Sequence, residues 1–431
     1  MSRYTVRHNV SGLGRARDVA PSEELSGGWS PEVWLGAPAP GGLALPPAQP
    51  SMAWMYSPRG VFLGAEHLVV ADSGNHRVLI WHGVPEHDEQ PADVVLGQPD
   101  GQTEGPAAGG RGPEKGMNLP TGVLIDQGRL VVADAWHHRI LVWNSVPETS
   151  DVPPDAVIGQ PDAGAVEVNR GAGCSAASLN WPFGIAVVGG SFWVADTGNR
   201  RVLGWRQGIP GPDQPADVVL GQPDAVSHGE NRDGPAGPAS FRWPHDISGR
   251  DDLLLIADAG DHRVLGWSPQ PRSDRDADLV LGQPDFTSAE EWPYGPHTND
   301  RFRFPYAVCL DGETLAVADT ANNRILLWDG MPAGPVAPGA DGSDGGTPFR
   351  GADGSDGGTP FRGADGSDGG TPFRGADYVL AQHDFGSNGE NRWTSVTRDT
   401  LCWPYGLSLR GDRLAVADSG NNRVMLWRRT S

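Results

Sequence analysis

The chain has 431 residues and a formal net charge of −21, from 54 acidic and 33 basic residues. That balance repels phosphate backbones, so nucleic acid is not an expected partner. Three scattered cysteines, Cys174, Cys309 and Cys402, make neither a disulfide framework nor a paired-cysteine zinc site.

The opening MSRYTVRHNV lacks the apolar core of a signal peptide. No apolar run approaches the roughly 20 residues that span a bilayer. The expectation is a soluble, cytoplasmic protein without membrane association. Residues 1–30 read as an N-terminal extension, and PEVWLGAP at 31–38 as a lone strand.

From residue 57 the chain repeats. SPRGVFL (57–63) is a short apolar run introduced by a proline. LVVAD (68–72) and RVLIW (77–81) flank a tight turn, and ADVVLGQPD (92–100) ends in a Gly-Gln-Pro turn. The second unit holds LPTGVLI (119–125), VVADAWHHRILVW (131–143) and DAVIGQPD (155–162). The third holds WPFGIAV (181–187), WVADTGNRRVLGW (193–205) and ADVVLGQPD (216–224). Next come WPHDI (243–247), LIADAGDHRVLGW (255–267) and ADLVLGQPD (277–285). FPYAVCL (304–310), AVADTANNRILLW (316–328) and ADYVLAQHD (376–384) follow, then WPYGLSL (403–409) and AVADSGNNRVMLW (415–427).

The motif aspartates, Asp72, Asp134, Asp196, Asp258, Asp319 and Asp418, are spaced 62, 62, 62, 61 and 99 residues apart. GADGSDGGTPFR occurs three times without change over 339–374, and without those 36 residues the last interval is 63. The insertion carries too little apolar surface to pack, and a disordered surface segment is expected within the fifth unit.

Runs of four to seven residues rich in Val, Leu and Ile, separated by Gly, Pro, Asn and Asp, are strand and turn chemistry. Each unit therefore supplies four strands, a to d. The expected fold class is all-β, a six-bladed β-propeller of four-stranded antiparallel blades forming one domain over 31–431. The chain stops just after the last strand c, at Trp427. The 31–38 strand is expected to complete the last blade as its strand d and remove the open edge at the seam.

The repeated motif reads as structural, since six equal copies mark stacking units rather than one site. Asp72 accepts hydrogen bonds from its turn, Gly74 and Asn75 are expected to take the positive φ, and Arg77 forks onto an aspartate. The same roles fall to Asp134 with Arg139, Asp196 with Arg201, Asp258 with Arg263, Asp319 with Arg324 and Asp418 with Arg423. The tryptophan closing each strand c fills the wedge between blades.

The pattern resembles the NHL repeat family, of the TolB-like/NHL six-bladed type. P-x-G-V-A followed by V-A-D-S-x-N-x-R-[VI] is matched six times over 55–428. The resemblance implies a propeller but no single activity. NHL propellers serve as protein- or RNA-binding platforms. A similar scaffold carries the zinc-dependent peptidyl-α-hydroxyglycine α-amidating lyase, and related propellers include calcium-dependent lactonases.

A site is expected where the repeat is broken. The residue after each strand-a proline is Arg59, Thr121, Phe183, His245, Tyr306 or Tyr405. The next is Gly or Ala except for Asp246. Turn residues Trp136, His137, His138, His262 and His76 share that face. Histidines from separate blades can converge on a metal, or can simply be turn-tolerant residues like Asn75, Asn199, Asn322 and Asn421. The d-to-a loops add Asn-Arg pairs at Arg170, Arg232 and Arg392, with Trp292, Tyr294 and Trp393. These either form an interface or pin the loops to the blade below.

The function expected is a non-catalytic scaffold that binds a protein or small ligand through its top-face loops, with no cofactor. The alternative is a metal-dependent lyase or hydrolase at the channel mouth, using zinc or calcium. It requires His245, Asp246, His137 and His262 to converge.

Overall fold

The computed structural model describes residues 23–36, 49–291, 297–332 and 374–430. They form six four-stranded antiparallel sheets. Blade 1 runs Gly60–Leu63, His67–Asp72, Arg77–His82 and Val94–Leu96, as strands a to d. Blade 4 repeats this with Pro244–Arg250, Leu253–Asp258, Arg263–Trp267 and Leu279–Leu281. Strands a pack on one another around the central axis, and strands d lie outermost. Strands c are buried on both faces, because neighbouring blades cover each side. That is why they read as unbroken apolar runs rather than alternating ones. The closing tryptophans, from Trp81 to Trp427, are at most 2% exposed.

The seam closes as expected, with one shift. The clasp strand is Trp29–Gly36, antiparallel to Arg423–Arg429 in blade 6. It starts two residues before the expected 31–38, and residues 37–38 lie outside the described residues. Burial explains the earlier start. Trp29 packs with Trp34, Leu380, Leu401 and Trp427 between blades 5 and 6. The clasp has eight residues where blades 1–5 have a three-residue strand d. The Arg423 guanidinium lies 4.1 Å from the Trp34 ring centroid. Outside the sheet, Asp329 takes both terminal nitrogens of Arg429 at 2.7 Å. A short helix, Glu23–Ser26, precedes the clasp within the expected extension.

The 339–374 insertion lies outside the described residues apart from Arg374, whose carbonyl accepts the Trp328 indole N–H at 3.0 Å. Strand d of blade 5 follows at Tyr378–Leu380.

The turn between strands b and c corrects one expectation. Gly74 and Asn75 do not take the positive φ. Ser73–Asn75 is a single 3-10 turn, and the next residue, His76, closes it in the left-handed region at φ 56°. His138, Arg200, His262, Asn323 and Asn422 do the same. Gly74 is small for a different reason: a Cβ there would stand 2.3 Å from the Tyr56 ring.

Candidate functional site

Each turn carries a buried hub. The Asp72 Oδ2 atom accepts Arg77 Nε at 2.7 Å and Asn75 Nδ2 at 2.9 Å, while Oδ1 accepts the Tyr56 N–H at 2.7 Å. The Arg77 terminal nitrogens donate to the carbonyls of Gly101, Ser51 and Trp54. Asp and Arg thus tie strands b and c to the d-to-a loops on either side. Asp134 with Arg139, Asp196 with Arg201, Asp258 with Arg263, Asp319 with Arg324 and Asp418 with Arg423 repeat the ion pair at 2.6–3.1 Å. Each arginine pairs with the aspartate of its own blade.

Blade-to-blade contacts come from the left-handed residue. His76 Nδ1 accepts the Leu119 N–H, His138 Nδ1 the Trp181 N–H and His262 Nδ1 the Phe304 N–H, each at 3.1 Å. Asn323 and Asn422 do the same with side-chain oxygens, to Trp403 and Ser57 at 2.9 Å. The last contact crosses the seam. An accepting nitrogen cannot be protonated, and burial holds His76 and His262 below the usual histidine value and His138 at about 4. His137 stands where four other blades have Asn and blade 4 has Asp261, and its Nδ1 lies 2.9 Å from Asp134 Oδ2.

The residues after the strand-a prolines line a central cavity of about 320 Å³. Phe183, His245, Tyr306 and Tyr405 pack in succession, with ring centroids 4.4, 4.3 and 4.6 Å apart, His245 stacked on Tyr306 and the other two pairs tilted. The Arg59 guanidinium follows, 5.1 Å from the Tyr405 centroid. Thr121 completes the circle, its hydroxyl donating to the Phe183 carbonyl at 3.1 Å. The Gly at the following position is required because strands a approach closely. A Cβ on Gly60 would lie 1.8 Å from the Thr121 carbonyl oxygen, and one on Gly184 would lie 2.6 Å from that of His245.

Ala307 and Asp246 carry a Cβ where the other four blades have Gly, and the Asp246 Oδ2 accepts the Val308 N–H of blade 5 at 3.1 Å. Enclosure in the channel raises its carboxyl to about 7. Enclosure, with the Arg59 charge, lowers His245 to about 3, and its Nδ1 has no hydrogen-bond partner. At neutral pH the ring therefore holds a neutral imidazole and a carboxyl near its midpoint.

The metal constellation does not assemble. His137 is held by Asp134, His262 by the Phe304 N–H, and His245 lies between Phe183 and Tyr306. Among the described residues, no group of three or more His, Cys, Asp or Glu side chains is arranged to hold a metal ion.

The Asn-Arg pairs form tight left-handed turns. Asn169 and Asn199 exchange side-chain hydrogen bonds at 3.0 and 2.9 Å, as do Asn391 and Asn421. Arg170 pairs with Asp213, Arg232 with both oxygens of Asp274 at 2.6 Å, and Arg392 with Asp399 at 2.9 Å. These arginines pin their loops. Trp393 is 77% exposed, while Trp292 and Tyr294 lie outside the described residues.

A further set of residues escaped the sequence reading. The position before the strand-a proline is Trp181, Trp243, Phe304 or Trp403 in four blades, against Ser57 and Leu119 in the others. The three tryptophans are 37–41% exposed, and Trp136 is 45% exposed. Trp136 stacks on Trp181 at 5.4 Å and Trp243 on Phe304 at 6.1 Å. Phe304 in turn lies 6.4 Å from Tyr306. An aromatic collar thus surrounds the mouth and meets the ring below. The Trp-Pro and Phe-Pro pairs were the signal, visible only once the six units are aligned.

No family model matches the chain, and no curated protein matches it. The resemblance to NHL repeats stands on the six motif copies alone. Similar solved structures include a nidogen/laminin complex, at 14% identity and TM-score 0.38, covering 64% of this chain and 77% of that one. Another is a structural-genomics protein of unknown function from Bacteroides thetaiotaomicron, at 12% identity and TM-score 0.44, covering 93% and 75%. The six-bladed architecture rests on the sheets themselves.

Proposed function

We propose that the chain is an NHL-type propeller acting as a cytoplasmic, non-catalytic scaffold. Its top face takes a protein or small ligand at the channel mouth. One observation carries this reading: the collar of Trp136, Trp181, Trp243 and Trp403 leaves large aromatic surface exposed around a cavity. Tryptophan is favoured at binding surfaces because it buries much area with little loss of side-chain freedom. The turn histidines His76, His137, His138 and His262 already serve the fold, which favours binding over metal-assisted chemistry. No helix among the described residues is long and apolar enough to cross a membrane.

The test is to immobilise the wild-type chain and a Trp181→Ala/Trp243→Ala variant of equal melting temperature, and compare what each retains. A species held by the wild type and lost by the variant is expected. Retention that ignores the collar moves the site elsewhere. Stoichiometric zinc or calcium in untagged protein, lost on His245→Ala, would replace this reading with the metal-dependent enzyme.

A further inference from the structure

The ring contains an uncompensated cation. Among the described residues, the Arg59 guanidinium has neither a carboxylate nor a hydrogen-bond acceptor, and its Nε is buried. Its neighbour is the face of Tyr405. The buried arginines of the six hubs each have an aspartate within 3.1 Å. A partly buried charge without a counter-charge carries a desolvation cost, and a chain with net charge −21 is not short of carboxylates. None is placed at Arg59. The ring also holds Thr121, Tyr306 and the partnerless His245 Nδ1.

The rest of the cavity narrows the ligand. Phe183, Tyr306 and Tyr405 line the cavity with aromatic surface, suited to an apolar body. About 320 Å³ lies at the small end of ligand sites. Arg59 is the one arginine or lysine among the described residues lining the cavity, and the carboxyls of Asp126 and Asp246 line it as well. A dianion would meet one cation and a carboxylate of its own sign, whereas a monoanion meets a matched charge. Guanidinium geometry suits a carboxylate, which takes two parallel N–H donors.

We propose that the channel mouth binds a small organic carboxylate, its anionic end on Arg59 and its body against Tyr405, Tyr306 and Phe183. The assignment deepens the binding-scaffold reading and rests on it.

Isothermal titration calorimetry of the full chain at pH 7.5 tests it, with sodium benzoate, sodium acetate, benzamide and inorganic phosphate as probes. Benzoate should bind, and more tightly than acetate. Benzamide, the same shape without the charge, should bind at least about tenfold more weakly, the scale of a hydrogen bond to a charged group. Arg59→Gln should weaken benzoate by a similar factor.

Failure of benzoate to bind, benzamide binding as well as benzoate, phosphate binding more tightly than benzoate, or an indifferent Arg59→Gln would each overturn the assignment. The benzoate and benzamide comparison uses wild-type protein, so it decides even where Arg59→Gln does not fold. Collar-dependent retention with no benzoate binding would remove the carboxylate and keep the scaffold. Benzoate binding without collar-dependent retention would do the reverse.

Discussion

The ring residue and the hub aspartate lie 13 residues apart in every blade and follow opposite rules. At the hub, six aspartates and six arginines repeat one geometry, with every nitrogen of Arg77 committed. In the ring, six aligned positions hold Arg59, Thr121, Phe183, His245, Tyr306 and Tyr405, and two polar atoms are left without partners. Equal contacts at every blade hold equal blades together. Unequal residues at equal positions are not what repeated stacking requires, so they mark where this propeller differs from a bare scaffold.

The comparison breaks most visibly at the hub. Arg201→Leu leaves Asp196 buried without its cation and strands the carbonyls of Ala225, Ser175 and Ser178. The expected loss is about 3–5 kcal/mol of stability, read from urea unfolding. A loss below about 1 kcal/mol would show that the hub does not hold the blades.

The ring should respond with the opposite sign. Asp246 is raised from 3.8 to about 7 by its enclosure, so the folded chain holds a proton there that the unfolded chain has released. Between pH 3.8 and 7 the folded state binds more protons, and this group's contribution to stability falls as pH rises. Asp246→Asn keeps an oxygen for the Val308 N–H and removes the charge. It should stabilise the chain at pH 8 by on the order of 2 kcal/mol and leave pH 4 almost unchanged. Equal effects at both pH values would show that Asp246 does not titrate abnormally.

The blades and the hubs were legible in the sequence because each rests on local spacing repeated six times, and the clasp because the sixth repeat lacks a fourth strand that the lone N-terminal strand can supply. The turn geometry was not. Gly74 and Asn75 are the residues tolerant of positive φ, yet a 3-10 turn hands that conformation to His76. The role of the turn histidines was hidden as well. His76, His138 and His262 receive N–H groups from the next blade, 42 or 43 residues on, and no local pattern reports that. The collar was hidden for a third reason. Trp181, Trp243 and Trp403 resemble core residues in composition, and only the closed ring places them at the rim.

The finest test separates two meanings of a turn histidine. His138 is lowered from 6.5 to about 4, chiefly by burial, and its Nδ1 accepts the Trp181 N–H. Between pH 6.5 and 4 the unfolded state binds the extra proton, so this group's contribution is lost as pH falls. Asn323 and Asn422 perform the same task in other blades. His138→Asn should therefore change stability at pH 7.5 by less than about 0.5 kcal/mol, the range of an ordinary tolerated substitution. It should also flatten the loss between pH 6.5 and 4. His138→Ala should cost about 1 kcal/mol at pH 7.5, because the Trp181 N–H loses its acceptor. If Asn and Ala behave alike, the histidine is not an acceptor and its ring matters for packing. If Asn is as damaging as a broken hub, the histidine does something that asparagine cannot, and the turn rejoins the ring as part of the site.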